Sequence, residues 1–143
     1  MRSLSMLTRV FLTILIVPAI SFSADFQTET KQFMQKLERQ AKMEDPAFAG
    51  FDPERGKRIF FEEHPNEKIG KISCSTCHTA DLKKSGKTLV GKAIDPLAPS
   101  VNRKRLADVK EIEKWLQRNF KQVYGREGTA KEKGDVLVFI NTQ

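Results

Sequence analysis

Cys74-Ser75-Thr76-Cys77-His78 sets two thiols three positions apart and an imidazole directly after the second, the pattern by which a c-type haem is covalently attached. Thioether bonds from Cys74 and Cys77 would hold the macrocycle, and His78 would reach the iron from the proximal side. Other uses of the pair fit less well. A structural zinc site wants about four protein ligands. The chain has only these two cysteines and two histidines, His64 and His78, one of them abutting Cys77. A dithiol oxidoreductase would set the pair at a strand-to-helix junction, whereas the flanking segments read as helix and loop.

The iron's sixth position then decides between electron transfer and binding of a small molecule. An electron carrier uses a methionine downstream of the motif, but no methionine follows Met43, and Met34 and Met43 both lie in or at the end of the first helical segment. His64 could give bis-histidine iron from the loop before the motif, or simply be solvated between Glu63 and Pro65. What remains is an open site or a weak donor such as Asn119, which could equally be a helix-end cap.

Composition fits a small exported protein. Arg2 and Arg9, the apolar run Val10 to Ile20 and the small residues Ser21, Ser23 and Ala24 have the layout of a secretory signal peptide, so residues 1–24 are expected to be removed. The apolar run falls short of the roughly 20 residues needed to span a bilayer, so no stable membrane insertion is expected. Residues 25–143 are expected to form one domain in the periplasm, where c-type haem is added. Removing the signal takes two of the 25 basic residues and none of the 18 acidic ones, leaving a formal charge of about +5. Such a surface suits an acidic partner or serves solvation alone; no nucleic-acid motif accompanies it.

The elements that must position the motif read as helices. Phe26, Phe33, Met34, Leu37 and Ala41 recur at helical spacing until Glu44-Asp45-Pro46. Asp52-Pro53 opens a second helix with Gly56 and Phe60 on one face, where a glycine lets another backbone approach. His64–Ser73 reads as a polar loop, and Thr79–Arg105, with Pro96 and Pro99, as a long irregular stretch ordered by the cofactor. Asp108 and Glu111 start a helix carrying Val109, Ile112, Trp115, Leu116 and Asn119. Thr129 and Glu132 form a capping box ahead of Val136, Leu137, Phe139 and Ile140, in a last helix expected to cross the one bearing Gly56. The fold class is all-α, a small class I-like cytochrome c with an extra N-terminal helix.

The stretch from Gly91 to Thr129, with Gly91-Lys92, the turn Pro96-Leu97-Ala98-Pro99, Arg105, Trp115-Leu116 and Arg118-Asn119, resembles the sphaeroides-type haem protein (SHP) family, which is related to cytochrome c″. With Cys74–His78 and the helix from Asp52, the resemblance covers roughly residues 50–143. It implies one haem c, His78 as proximal ligand and Asn119 at the distal position, where the cytochrome c″ branch has histidine. It further implies that Asn119 leaves on reduction, so that ferrous haem binds oxygen, nitric oxide or carbon monoxide, with redox turnover and electrons from another cytochrome; relatives are associated with dihaem cytochromes c. The competing class is a plain electron carrier with permanent six-coordination, and a third is a gas-binding module that turns nothing over. One departure stands out: the family often carries a cysteine after the distal ligand and another before the threonine capping the last helix, positions held here by Phe120 and Gly128. Among secondary residues, Lys92, Arg103 and Arg105 are candidates to pair with the haem propionates. Trp115, one turn before Asn119, either lines the pocket or anchors the core. Tyr124 could donate a hydrogen bond.

Overall fold

The computed structural model describes residues 26–143, and the expected signal peptide lies outside them. Helix α1 (Thr28–Glu44) forms where the apolar spacing predicts it, two residues later than Phe26, and buries Phe33, Met34, Leu37 and Ala41. Thr30 Oγ1 donates to the Leu106 carbonyl at 2.6 Å, which fastens α1 to the chain ahead of the fourth helix.

Helix α2 (Pro53–Phe61) starts as the Asp52-Pro53 pair dictates: the Asp52 side chain accepts from the Glu54 amide at 2.8 Å, and proline occupies the first turn, where its missing N–H costs nothing. A short helix α3 (Cys74–His78) holds the haem motif. Helix α4 (Val109–Tyr124) is capped by Asp108, which accepts from the Lys110 and Glu111 amides, and it buries Ile112, Leu116, Phe120 and Val123. Glu111 does not return to the cap; its carboxylate takes Lys114 and the Trp115 indole N–H instead. Helix α5 (Ala130–Asn141) begins with the full Thr129/Glu132 box, Glu132 N donating to Thr129 Oγ1 at 3.2 Å and Thr129 N to Glu132 Oε2 at 2.8 Å.

Two segments read as loops contain small antiparallel pairs. Strand β1 (His64–Asn66) pairs with β2 (Gly70–Ile72), His64 facing Ile72. The turn between them closes because Asn66 Oδ1 accepts from the Lys68 and Ile69 amides. Strand β3 (Gly86–Lys87) pairs with β4 (Ala93–Ile94), and Thr88 Oγ1 accepts from the Lys92 amide across the connection. At two or three residues each, these strands carry no alternation that sequence could reveal. The fold remains helix-dominated, as expected.

The core is centred where α5 crosses α2. Gly56 packs so closely that an added Cβ would fall on the Asp135 carbonyl and against Phe139. Beside the crossing, Asp135, 1 % exposed, accepts from Arg55 Nε at 2.8 Å, from Arg55 Nη2 at 2.9 Å and from the Asp52 amide at 2.8 Å. This arrangement is bidentate, and the carboxylate holds the Arg55 guanidinium above its ordinary value. Phe60 is buried in the same layer, its ring 5.6 Å from that of Phe139.

Gly56→Ala should therefore push α2 off α5 and lower the unfolding free energy of the holoprotein by about 2–3 kcal/mol in urea denaturation. A pH effect follows from Glu132, whose carboxyl is held below its ordinary value, mainly by Arg126. Because the folded state prefers the charged form, this contribution is complete above that value and fades as pH falls through the lowered one. Glu132→Gln should flatten that acid-side loss, read from denaturation midpoints between pH 6 and about pH 3.

Candidate haem site

The motif sits on a single helical turn whose entry is fixed by side chains beside the chemistry. Ser73 is the N-cap residue, and its amide donates to Thr76 Oγ1 at 2.9 Å. The exit is fixed by backbone: Thr79 has φ 64° and ψ 168°, an orientation that β-branched residues rarely adopt, and its hydroxyl donates to the Asp81 carbonyl at 2.7 Å. On the far side Gly86 lies against the Cys77 carbonyl, so closely that a Cβ there would overlap it. Sequence reasoning singled out neither Thr76 nor Gly86; the Ser73-x-x-Thr76 spacing was the available signal for the first, and nothing local marks the second.

Both thiols are free, with no disulfide between them. Burial, and then the neighbouring Cys77, push the Cys74 thiol up to about 11. Burial also raises Cys77, while the Leu89 backbone amide acts in the opposite direction. His78 is shifted the other way: burial first, and then the positive charge of Arg105, lower its imidazole to about 4, so it is neutral at physiological pH, as a metal ligand must be. Its Nδ1 is buried with no hydrogen-bond partner, and its ring centroid lies 6.3 Å from that of Phe60.

Arg105 is half-buried, its Nε donating to the Pro96 carbonyl at 2.9 Å and its Nη2 to the Asp95 carbonyl at 2.8 Å. Asn102 Nδ2 donates to the same Pro96 carbonyl at 3.0 Å, so the prolines noted in the sequence become the anchor of the irregular stretch. Lys92 and Arg103 are exposed. Two reduced thiols and a neutral, incompletely partnered imidazole on one turn, with a guanidinium nearby, fit a covalently held haem. No cluster of three or more His, Cys, Asp or Glu able to hold a bare metal ion occurs among the described residues.

Of the residues weighed for the other axial position, Met34 is buried in the core and Met43 is exposed at the end of α1. His64 is half-buried, its ring 4.0 Å from that of Tyr124 and its Nε2 3.8 Å from Glu62 Oε1 without a hydrogen bond. Asn119 is half-buried within α4, five residues short of the helix end, and so is no end cap. Among the described residues no hydrogen bond engages its side-chain amide.

Trp115 is 43 % exposed rather than a core anchor; its indole N–H donates to Glu111 at 2.9 Å, and Lys114 and Arg118 lie over the ring. Tyr124 does donate, to the Ile59 carbonyl at 2.8 Å and to Glu62 at 3.2 Å, and burial is the main reason its phenol is pushed up. Where relatives often carry two cysteines, the Phe120 ring fills the space that a Gly128 side chain would need.

A five-helix shell around a half-buried, neutral histidine and two free thiols on the same turn defines a small c-type cytochrome. A family model described as a domain of unknown function (DUF1924) matches residues 46–140. Cytochrome c-type protein SHP of Cereibacter sphaeroides is 43 % identical over 103 residues, 72 % of this chain and 80 % of that protein. A structure of oxidized SHP, described as an oxygen-binding cytochrome c, superposes with a TM-score of 0.71 at 37 % identity, covering 83 % of this chain and 99 % of the other. Cytochrome c″ of Methylophilus methylotrophus is 30 % identical over 136 residues, 92 % of this chain and 94 % of that one. Its solution structure, concerned with haem-ligand detachment, superposes with a TM-score of 0.70 at 26 % identity, covering 81 % and 94 % of the two chains. The chain belongs to the DUF1924 family and to the SHP/cytochrome c″ family, and its cofactor is one covalently bound haem c. Among the described residues no helix is long and apolar enough to cross a membrane.

The contact between Phe120 and Gly128 makes a double-mutant cycle informative. Phe120→Ala should cost about 3–5 kcal/mol by opening a cavity, and Gly128→Ala about 1–3 kcal/mol by crowding the ring. The double variant, measured by urea denaturation of the holoprotein, should lose less than the two together because the added methyl enters the vacated space.

Proposed function

We propose that the protein is a periplasmic, monohaem c-type cytochrome that binds a diatomic molecule reversibly, with Cys74 and Cys77 as the attachment residues, His78 as the permanent axial ligand and Asn119 as a labile one. When bound, the haem supplies a one-electron iron centre with one axial position open to exchange. The observation that carries the reading is the state of Asn119: half-buried within α4, with an amide that no hydrogen bond engages among the described residues, while Met34 is buried in the α1 core and Met43 exposed at its end.

An amide oxygen is a hard, neutral donor that tolerates ferric iron and has little affinity for the softer ferrous ion. His78 is neutral and held on a capped turn, so the Asn119 side would be the one to let go. A released Asn119 amide would have two N–H groups with which to donate to a diatomic bound at the haem. Arg105 lies close enough to lower the His78 titration and carries a positive charge suited to a propionate. The oxygen-binding description of SHP and the ligand-detachment description of cytochrome c″ support the same reading. Electrons would come from another cytochrome, with a dihaem cytochrome c as the candidate donor, and turnover of oxygen or nitric oxide is the expected activity.

A second reading, permanent six-coordination through His64 in a plain electron carrier, draws on the buried, unpartnered Nε2 of that residue. Absorption spectra of the ferric and ferrous holoprotein, with and without carbon monoxide, separate the two. The proposed function predicts a six-coordinate ferric spectrum that Asn119→Ala alters and His64→Ala does not, and a ferrous spectrum that carbon monoxide shifts. An unaltered ferric spectrum in Asn119→Ala, or a ferrous form indifferent to carbon monoxide, defeats it.

A further inference from the structure

The chain's positive charge is not spread over its surface. Residues 79–105 hold seven Lys or Arg against two Asp, whereas the described residues on either side, 26–78 and 106–143, together hold 16 basic and 15 acidic side chains. Nearly the whole net charge therefore belongs to the one stretch that follows His78. Pairing follows the same division. The helices carry ion pairs such as Lys36–Glu113, Lys114–Glu111 and Arg126–Glu132. Within 79–105 the described ion pairs reduce to Lys84–Asp81 at 3.7 Å, leaving exposed Lys83, Lys87, Lys92, Arg103 and Lys104 with no carboxylate partner.

At the tip of the β3–β4 hairpin the same stretch exposes two large apolar side chains, Leu89 and Val90, the latter 90 % exposed. The same hairpin meets the haem motif at its base, where Gly86 packs so closely on the Cys77 carbonyl that an added Cβ would overlap it.

We propose that this basic, apolar-tipped face is the docking surface for an acidic redox protein that delivers single electrons to the site. The inference rests on the reading above, in which another redox protein feeds the haem, and adds where that partner sits and what charge it carries. Uncompensated lysines raise the encounter rate with an acidic partner through long-range attraction, and a small apolar centre inside a charged rim gives the short-lived contact that electron transfer needs. The partner loses one electron and this protein gains it; no atom or proton changes hands. Other acidic macromolecules fit the face less well. Residues 79–105 contain no aromatic side chain on which a nucleic-acid base could stack. Their exposed apolar residues stand on a hairpin tip rather than along an amphipathic helix that could enter a membrane surface.

The test uses the ferric holoprotein and a reduced plant-type [2Fe–2S] ferredoxin as an acidic one-electron donor, mixed by stopped flow over a series of salt concentrations. The wild type should react fastest at low salt, and the triple variant Lys83→Glu, Lys87→Glu, Lys104→Glu should react about tenfold more slowly there, with its salt dependence flattened or reversed. The control variant Lys57→Glu, Lys68→Glu, Lys110→Glu, outside the stretch, should stay within about twofold of wild type. Carbodiimide cross-linking to the ferredoxin, mapped by mass spectrometry, should report Lys83, Lys87, Lys92 or Lys104. Equal rates for wild type and the 79–105 variant, or cross-links confined to the helices, overturn the proposal. So does a salt-independent ferredoxin reaction combined with salt-sensitive binding of wild type to phosphatidylserine vesicles or to duplex DNA. Carbon monoxide spectra on the same samples keep the two readings apart: normal gas binding with no charge effect removes the docking surface alone, whereas absent gas binding removes the functional reading beneath it.

Discussion

The close approach of α2 to α5 is the constraint from which the rest of the molecule is built. It requires a residue without a side chain at position 56, and it places the Asp135 carboxylate where Arg55 and the Asp52 amide can saturate it. A carboxylate this buried would be costly alone; with the guanidinium fork and a backbone amide it becomes a lock that specifies how the helices cross. Helix α2 then carries that rigidity outward. Phe60 packs on Phe139 of α5 on one side and faces His78 on the other, while the Ile59 carbonyl at its C-terminal end receives the Tyr124 hydroxyl from α4. Nine residues thus join the last helix, His78 of the haem motif and the helix bearing Asn119.

The two sides of the site are held with unequal firmness. His78 follows a capped turn, is backed by Phe60 and leads into a backbone reversal at Thr79, with Gly86 pressed against the preceding carbonyl. Asn119 sits on a helix anchored through its neighbours, yet among the described residues no hydrogen bond engages its own amide. In the proposed reading this asymmetry would favour exchange on the Asn119 side, since a ligand held by several hydrogen bonds would have to break them all in order to move. The Phe120–Gly128 contact keeps the segment after Asn119 in place by packing.

Much of the scaffold was legible in the sequence because its signals are local. Asp52-Pro53, Asp108 and Thr129 with Glu132 each cap the helix they announce, and the Gly56–Phe60 pair foretells the helix crossing. The haem motif is legible for the same reason: its chemistry is written in adjacent residues. What escaped depends on contacts between distant positions. The hairpins are too short to show a period, and Gly86 matters only because the Cys77 carbonyl lies beneath it. Trp115 reads from sequence as pocket lining or core anchor, but Glu111, Lys114 and Arg118 hold it at the surface. Arg55 and Asp135 are 80 residues apart, and neither announces a partner of opposite charge.

One property of the motif turn bears on biogenesis. The folded shell holds the Cys74 thiol up to about 11 and raises that of Cys77 as well, so at neutral pH both sulfurs are overwhelmingly protonated and poor nucleophiles. The same thiols would be better nucleophiles in an open chain, so haem attachment would be favoured before the polypeptide closes around them.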